Sequence, residues 1–236
     1  MAQAIEYFSQ PATAQDQWVL TQQYLQLGQN APAFFVEIGA HDGVRHSNTL
    51  TLERYYGWTG LLVEPNPRLF NLLKQNRPDT KNSPDCIGPE DADQQSFAIG
   101  DAGGSDAFSG LVEHMSHEWI ENHVRHKSKI QRVDTISLRT LLRNYRCPKI
   151  IDYLSLDVEG AELPILEAFF ARPRVFRPDD YQFRYMTVEF RFDRLLLDQL
   201  EKLLEPEYRL DEVRAFDACF VHRTLGATNA NRVSAA

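Results

Sequence analysis

The chain has no run of apolar residues long enough to cross a membrane, and its start, "MAQAIEYFSQPATAQDQW", has no basic stretch leading into an apolar one. These absences argue against a membrane span and a secretory leader, and the expectation is a cytoplasmic protein with no membrane partner. Cysteine is scarce. Cys86, Cys147 and Cys219 are odd in number, far apart and in no zinc-ligand spacing, which excludes a disulfide framework and fits a reducing compartment. Excess basic charge is also missing: the formal net charge is -8, whereas a phosphate backbone is held by clustered lysine and arginine. Nucleic acid is therefore not expected as a partner. Internal repeats and low-complexity tracts are lacking as well.

What the 236 residues do contain, at 43% hydrophobic and 25% charged, is enough apolar material for one large core, read as a single domain over residues 1–236. Apolar periodicity alternates between strand and helix, the mark of an α/β fold with a largely parallel sheet. A helix is expected over residues 14–27, within an N-terminal helical extension of residues 1–30. Strand Phe34 to Ile38 follows. "NTLTLERYYGW" reads as a helix capped by Asn48 and stopped by Gly57, and "GLLVE" as a second buried strand. In "PNPRLFNLLKQN", Asn66 caps, Pro67 takes the first helical position, and Leu69, Leu72 and Leu73 form one apolar face. "DCIG" and "QSFAIG" are short strand candidates, and residues 88–132 read as an inserted, lid-like or substrate-facing segment. After "VDTISL" and a helix carrying Leu138, Leu141, Leu142 and Tyr145, the strands "IIDYLSLDVEG", "YMTVEF" and an antiparallel "DACFVHR" complete the sheet, with helices through Phe170 and over Leu195 to Leu204 between them.

Ligands of such sheets sit beyond the carboxyl ends of the strands, where strand order reverses. "FFVEIGAHDG" places Gly39 and Gly43 at a strand end, where they permit tight backbone geometry and close approach of a ligand. Glu64 ends the second strand twenty-one positions after Gly43, placed to accept the two hydroxyls of a ribose. A nicotinamide or flavin dinucleotide requires G-x-G-x-x-G, and here His41 and Asp42 crowd the turn, Asp42 adding negative charge where a pyrophosphate would sit. S-adenosylmethionine carries an ammonium and a sulfonium and no phosphate, so an acidic loop attracts it. Solvated loop carboxylates at Glu37, Asp42 and Glu64 are the plainer alternative.

"FVEIGAHDGVRHSNTLTLERYYGWTGLLVEPNP", "SGLVEHM" and "IDYLSLDVEGAEL" resemble the FkbM family of S-adenosylmethionine-dependent methyltransferases over about residues 33–222. The resemblance implies a Rossmann-like methyltransferase fold, a mostly parallel seven-stranded sheet with an antiparallel last strand and helices on both faces. It implies O-methylation of a hydroxyl on a sugar or small natural-product acceptor. By position, Glu37, Gly39, Ala40, Asp42, Gly43, Ser47 and Asn48 would line the methionine side of the cofactor. Glu64, with Pro65 and Asn66, would hold the ribose, and Asp85 and Cys86 would stand near the adenine.

The turn "SLDVEGAE" is the candidate reaction centre. Asp157, Glu159 and Glu162 can turn up to three carboxylates toward the methyl-transfer position, and one raised in pKa by acidic neighbours suits proton removal from an alcohol. Helix capping is the alternative for Glu159 and Glu162. Asp157, Glu159 and Glu189 could instead hold a divalent metal, and a non-catalytic interaction scaffold is the remaining class. His114, His117, His123 and His126 read as a solvated helix or lid face rather than a zinc site, with one of them, or His222, as a distant candidate for the base. Tyr55, Tyr56 and Trp58 read as packing.

Overall fold

In the computed structural model, the chain is described over residues 4–27, 31–100, 108–117, 120–121, 129–171 and 180–226. The elements run α1 (Gln15–Leu27), β1 (Phe34–Ile38), α2 (Leu50–Tyr56), β2 (Thr59–Val63), α3 (Pro67–Asn76), β3 (Lys81–Ser83), β4 (Cys86–Gly88), β5 (Ala92–Ala98), β6 (Gly110–Leu111), β7 (Ile130–Ser137), α4 (Leu138–Asn144), β8 (Ile150–Leu156), α5 (Glu162–Phe170), β9 (Gln182–Glu189), α6 (Arg194–Leu204), β10 (Tyr208–Arg214) and β11 (Asp217–His222).

The main sheet has seven strands in the order β10-β11-β9-β8-β1-β2-β3. β11 runs antiparallel to both of its neighbours, β9 and β10, and the pairs β9/β8, β8/β1, β1/β2 and β2/β3 are parallel. This is the Rossmann-like arrangement with a reversed last strand. Its central strands are apolar on both faces because both faces are covered. Val36, Leu61 and Leu154 pack with Leu141 of α4, Ile165 of α5 and Leu200 of α6. Phe35, Leu62 and Tyr153 pack on the other side with Trp18 of α1, Leu52 of α2 and Leu73 of α3. The order in which strands are laid down reverses at β1, which pairs with β2 on one edge and β8 on the other. That crevice beyond the β1 and β8 ends is where such a sheet binds ligands.

A second sheet, β4-β7-β5-β6, occupies Cys86 to Ser137. "VDTISL" therefore belongs to this smaller sheet rather than to the main one. Ile87, Phe97 and Leu111 anchor it in the same core as Val36 and Leu154. The seventh strand of the main sheet at that edge is Lys81–Ser83 instead, a polar "KNS" with no apolar signal.

Local chemistry explains most boundaries. Asn66 accepts from the Arg68 amide and Pro67 opens α3; Gly57 closes α2 at φ 67. Three expectations need correction. Asn48 does not cap α2, because its side chain bonds Ser155 Oγ; the Ser47 hydroxyl accepts from the Thr49 and Leu50 amides in its place. Leu72 is exposed, leaving Leu69 and Leu73 as the buried face of α3. The N-terminal extension is helical only from Gln15. No helix among the described residues is long and apolar enough to cross a membrane.

Candidate active site

The loop after β1 is held from behind by two buried charged residues, Glu37 and Arg77. Glu37 accepts from the Asn48 amide at 2.7 Å and the Ser47 hydroxyl at 3.1 Å, and also from the Thr49 hydroxyl. Burial pushes its carboxyl upward and Arg77 opposes that shift. Arg77, itself buried, donates to the Gly43 carbonyl at 3.0 Å, to Ser47 Oγ at 3.2 Å and to Glu53 at 2.6 Å. The two glycines answer to the fold. A Cβ on Gly39, at φ 89, would stand 1.8 Å from the Asp157 carbonyl oxygen. One on Gly43, at φ 79, would stand 2.6 Å from Leu73 and 2.8 Å from Arg77. Asp42 does not charge the loop's inner side: its carboxylate accepts from the Val44 and Arg45 amides of its own turn.

Beyond the strand ends lies a cavity of about 710 Å³, lined by Gly39, His41, Arg45, His46 and Asn48 from this loop. Glu64 and Pro65 form its next wall, with Asp85, Cys86 and Ile87 facing them. Each oxygen of the nearly buried Glu64 takes one backbone donor, Oε2 from His41 N at 3.0 Å and Oε1 from Asn66 N at 2.8 Å. Cys86 contributes a neutral wall, its thiol pushed up to about 12 by burial, then by the charges of Glu64 and Asp85.

The cavity floor is acidic. Oxygens of Asp157, at the end of β8, of Glu159, in the following turn, and of Glu189, at the end of β9, lie within 4.8 Å of one another. β8 and β9 are paired neighbours, so two distant stretches of sequence deliver carboxylates to one point. Glu159 sits in the left-handed region at φ 63. Burial, then the Glu162 charge, raises the Asp157 carboxyl to about 7, while Arg191 and a hydrogen bond with Glu189 pull the other way. Burial, then the charge of Asp157, raises Glu159 and Glu189 well above the usual carboxylate range. Arg191 stands 3.8 Å from Oε2 of both Glu159 and Glu189, and neither oxygen has a hydrogen-bond partner among the described residues.

The methyltransferase FkbM domain family matches residues 37–215, from Glu37 to the turn before β11. The chain belongs to that family. It is a methyltransferase by family, of the class that uses S-adenosylmethionine. Among solved structures, the N-terminal domain of human METTL16 is similar over 87% of this chain and 67% of its own, at 13% identity and a TM-score of 0.48; that domain has also been solved with SAH. A methyltransferase FkbM from Methylobacillus flagellatus KT is similar over 81% of this chain and 43% of its own, at 12% identity and a TM-score of 0.44. No curated protein matches the chain.

The donor set suits the cofactor of this family. A carboxylate at the end of β2 would meet a diol, the apolar wall of Ile87 and Leu69 would meet a base, and an acidic floor would meet a sulfonium and an ammonium. Of the residues expected to line that cofactor, Gly39, Asn48, Glu64, Pro65, Asp85, Cys86 and Asp157 border the cavity. Glu37, Ala40, Asp42, Gly43, Ser47 and Asn66 do not. Ala40 packs in the core and Asn66 caps α3, and the other four hold the loop. Glu162 turns away from the methyl-transfer position as well: fully buried, it accepts from the Val158 and Gly160 amides at 2.9 Å and holds the turn that carries Glu159.

Asp157, Glu159 and Glu189 do come together as a metal site requires, yet Arg191 already faces two of the three, and like charge disfavours a dication beside it. His117 is exposed, whereas the His114 carbonyl backs onto Gly160, where an added Cβ would meet it at 2.5 Å; this half-buried residue lies in a 3-10 turn rather than on a solvated helix. His123 and His126 lie outside the described residues. His222 is buried against Tyr208, their rings 4.9 Å apart, and does not border the cavity. Sequence reasoning missed Arg77, Arg191 and Phe192. The run "VEFRFDR" held a signal for the last two, since charged and aromatic residues directly after a buried parallel strand fall at the ligand end of the sheet.

Proposed function

We propose that this chain transfers the methyl group of S-adenosylmethionine to a hydroxyl of a sugar or another small hydroxylated molecule. The observation that carries the reading is one cavity with two unlike ends: Glu64 and the Asp85–Ile87 wall at one, and the carboxylate cluster of Asp157, Glu159 and Glu189 at the other. When bound, the cofactor supplies an electrophilic methyl group. The chain's own residues do the rest. Glu64 accepts from the ribose hydroxyls, the loop after β1 fixes the amino-acid end, and the acidic floor favours the positive charge of the cofactor. Asp157, at about 7, takes the proton of the acceptor hydroxyl, with Glu159 beside it. The net charge of -8 supports a small acceptor over a nucleic acid.

Calorimetric titration with S-adenosylhomocysteine, with and without magnesium and with NADH as control, tests the cofactor. Binding of S-adenosylhomocysteine alone is expected. A strict magnesium requirement would favour a metal-dependent transferase, and no binding in either buffer would favour a scaffold protein. With an acceptor in hand, Asp157→Asn should keep affinity for S-adenosylhomocysteine, whose thioether carries no charge, and lose turnover. Wild-type turnover should rise with pH through about 7, because the base acts only when ionised.

A further inference from the structure

The turn after β9 carries features that cofactor binding leaves unused. Arg191 and Phe192 are consecutive residues in the left-handed region, at φ 50 and 60, a conformation that side chains with a Cβ rarely adopt. The turn holds Phe192 with its ring 70% exposed at the cavity border, edge-on to Phe190 at 6.4 Å and to Phe216 at 6.0 Å. Beside it, Glu159 and Glu189 are each 8% exposed, and each has a buried Oε2 with no donor among the described residues. A carboxyl C=O oxygen accepts hydrogen bonds whether or not the group is ionised, and Arg191 at 3.8 Å from both oxygens is beyond hydrogen-bonding distance. A ligand that completes the site therefore brings two donors a few ångströms apart, next to an apolar face for the phenyl ring. A divalent cation would also satisfy the two oxygens, but the guanidinium facing both of them favours uncharged donors.

We propose that Glu159, Glu189, Arg191 and Phe192 form the acceptor subsite, and that it reads a saturated ring bearing two adjacent hydroxyls. The hydroxyls donate to Glu159 and Glu189, the C–H face of the ring rests on Phe192, and one hydroxyl oxygen lies beside Asp157. Which hydroxyl becomes methylated rests on the methyltransferase reading above; the subsite itself rests on the unsatisfied oxygens and the exposed ring.

Saturation-transfer NMR on the full chain with S-adenosylhomocysteine tests this, with methyl α-D-glucopyranoside and trans-1,2-cyclohexanediol as probes and cyclohexanol as the single-hydroxyl control. Both diols should bind, with cyclohexanol about tenfold weaker because one buried carboxylate oxygen stays unpaired. Phe192→Ala, a change at an exposed position, and Glu189→Gln should each weaken the diols about tenfold, while calorimetry on the same samples shows S-adenosylhomocysteine affinity unchanged for Phe192→Ala. Bound S-adenosylhomocysteine with no transfer to either diol would overturn the subsite and leave the methyltransferase reading standing. Diol binding that both variants retain would also overturn it. So would Mn²⁺ that binds the wild type, fails to bind Glu189→Gln and displaces the diols, since the occupant is then a cation. Failure of S-adenosylhomocysteine itself to bind would remove the underlying reading, and the subsite with it.

Discussion

Replacing Arg77 with methionine tests whether a buried charge, rather than the glycines, holds the loop at the cavity. Met roughly keeps the aliphatic volume and removes every polar contact. The guanidinium donates to Glu53 at 2.9 and 2.6 Å, to the Gly43 carbonyl at 3.0 Å, to Ser47 Oγ at 3.2 Å and to Thr49 Oγ1 at 3.3 Å. Its charge also opposes the upward push that burial gives the Glu37 carboxyl. Breaking a buried pair by removing one partner costs about 3–5 kcal/mol, because the remaining charge is left uncompensated. With an unfolding entropy near 2.1 cal/mol/K per residue, a chain of this length should lose roughly 6–10 °C in melting temperature. Urea unfolding and a thermal scan measure both quantities. Pairing the change with Glu37→Gln should recover part of the loss, with a coupling above about 1 kcal/mol in the double-mutant cycle. Arg77→Met within about 1 kcal/mol of wild type, or strict additivity of the pair, would refute the reasoning.

Gly39→Ala should unfold the strand end or fail to express, since its Cβ would stand 1.8 Å from the Asp157 carbonyl at φ 89; a thermal scan equal to wild type would show that β8 can move aside. Glu64→Gln should weaken S-adenosylhomocysteine by roughly 10- to 100-fold, the worth of charge-assisted hydrogen bonds to the ribose, and unchanged calorimetry would remove Glu64 from that role. Stability should fall as pH rises from about 4 to about 8. The cause is that Asp217 is raised to about 8, by burial and then by the charges of Asp157 and Glu162, so the folded state keeps a proton that the unfolded chain has released. Asp217→Asn, which can still accept from Gln15, should therefore gain on wild type as pH rises across that window in urea titrations; parallel pH profiles would show that Asp217 titrates normally.

The strands that were legible in the sequence are those with apolar faces on both sides. "FFVEI", "GLLV" and "IIDYLSL" are continuous apolar runs broken by single polar residues, which is how a fully covered parallel strand reads. β3 and β10 were not legible. Lys81–Ser83 is polar, and Tyr208–Arg214 lies at the sheet edge with charges along it, one of which, Asp211, serves α1 by accepting from Trp18 and Gln22. Of the smaller sheet, "DCIG" and "QSFAIG" read as short strands, but β6, only two residues long, and the pairing of these strands apart from the main sheet left no local signal.

At the site, the sequence by itself determined which residues stand at the carboxyl ends of strands. A glycine, an acid or an Asp-Val-Glu-Gly turn directly after a buried run can stand nowhere else, and Gly39, Glu64 and Asp157 follow from that alone. Only the tertiary structure decided which way each carboxylate turns. Glu37 and Glu162 are consumed by amides and hydroxyls of neighbouring turns, while Glu159 and Glu189 are left with oxygens that nothing in the described chain satisfies. That division depends on the pairing of β8 with β9 and on where Arg77 and Arg191 come to rest, contacts between residues far apart in the chain. Local periodicity records the burial of a strand's faces; it carries no trace of the partner a side chain meets across the sheet.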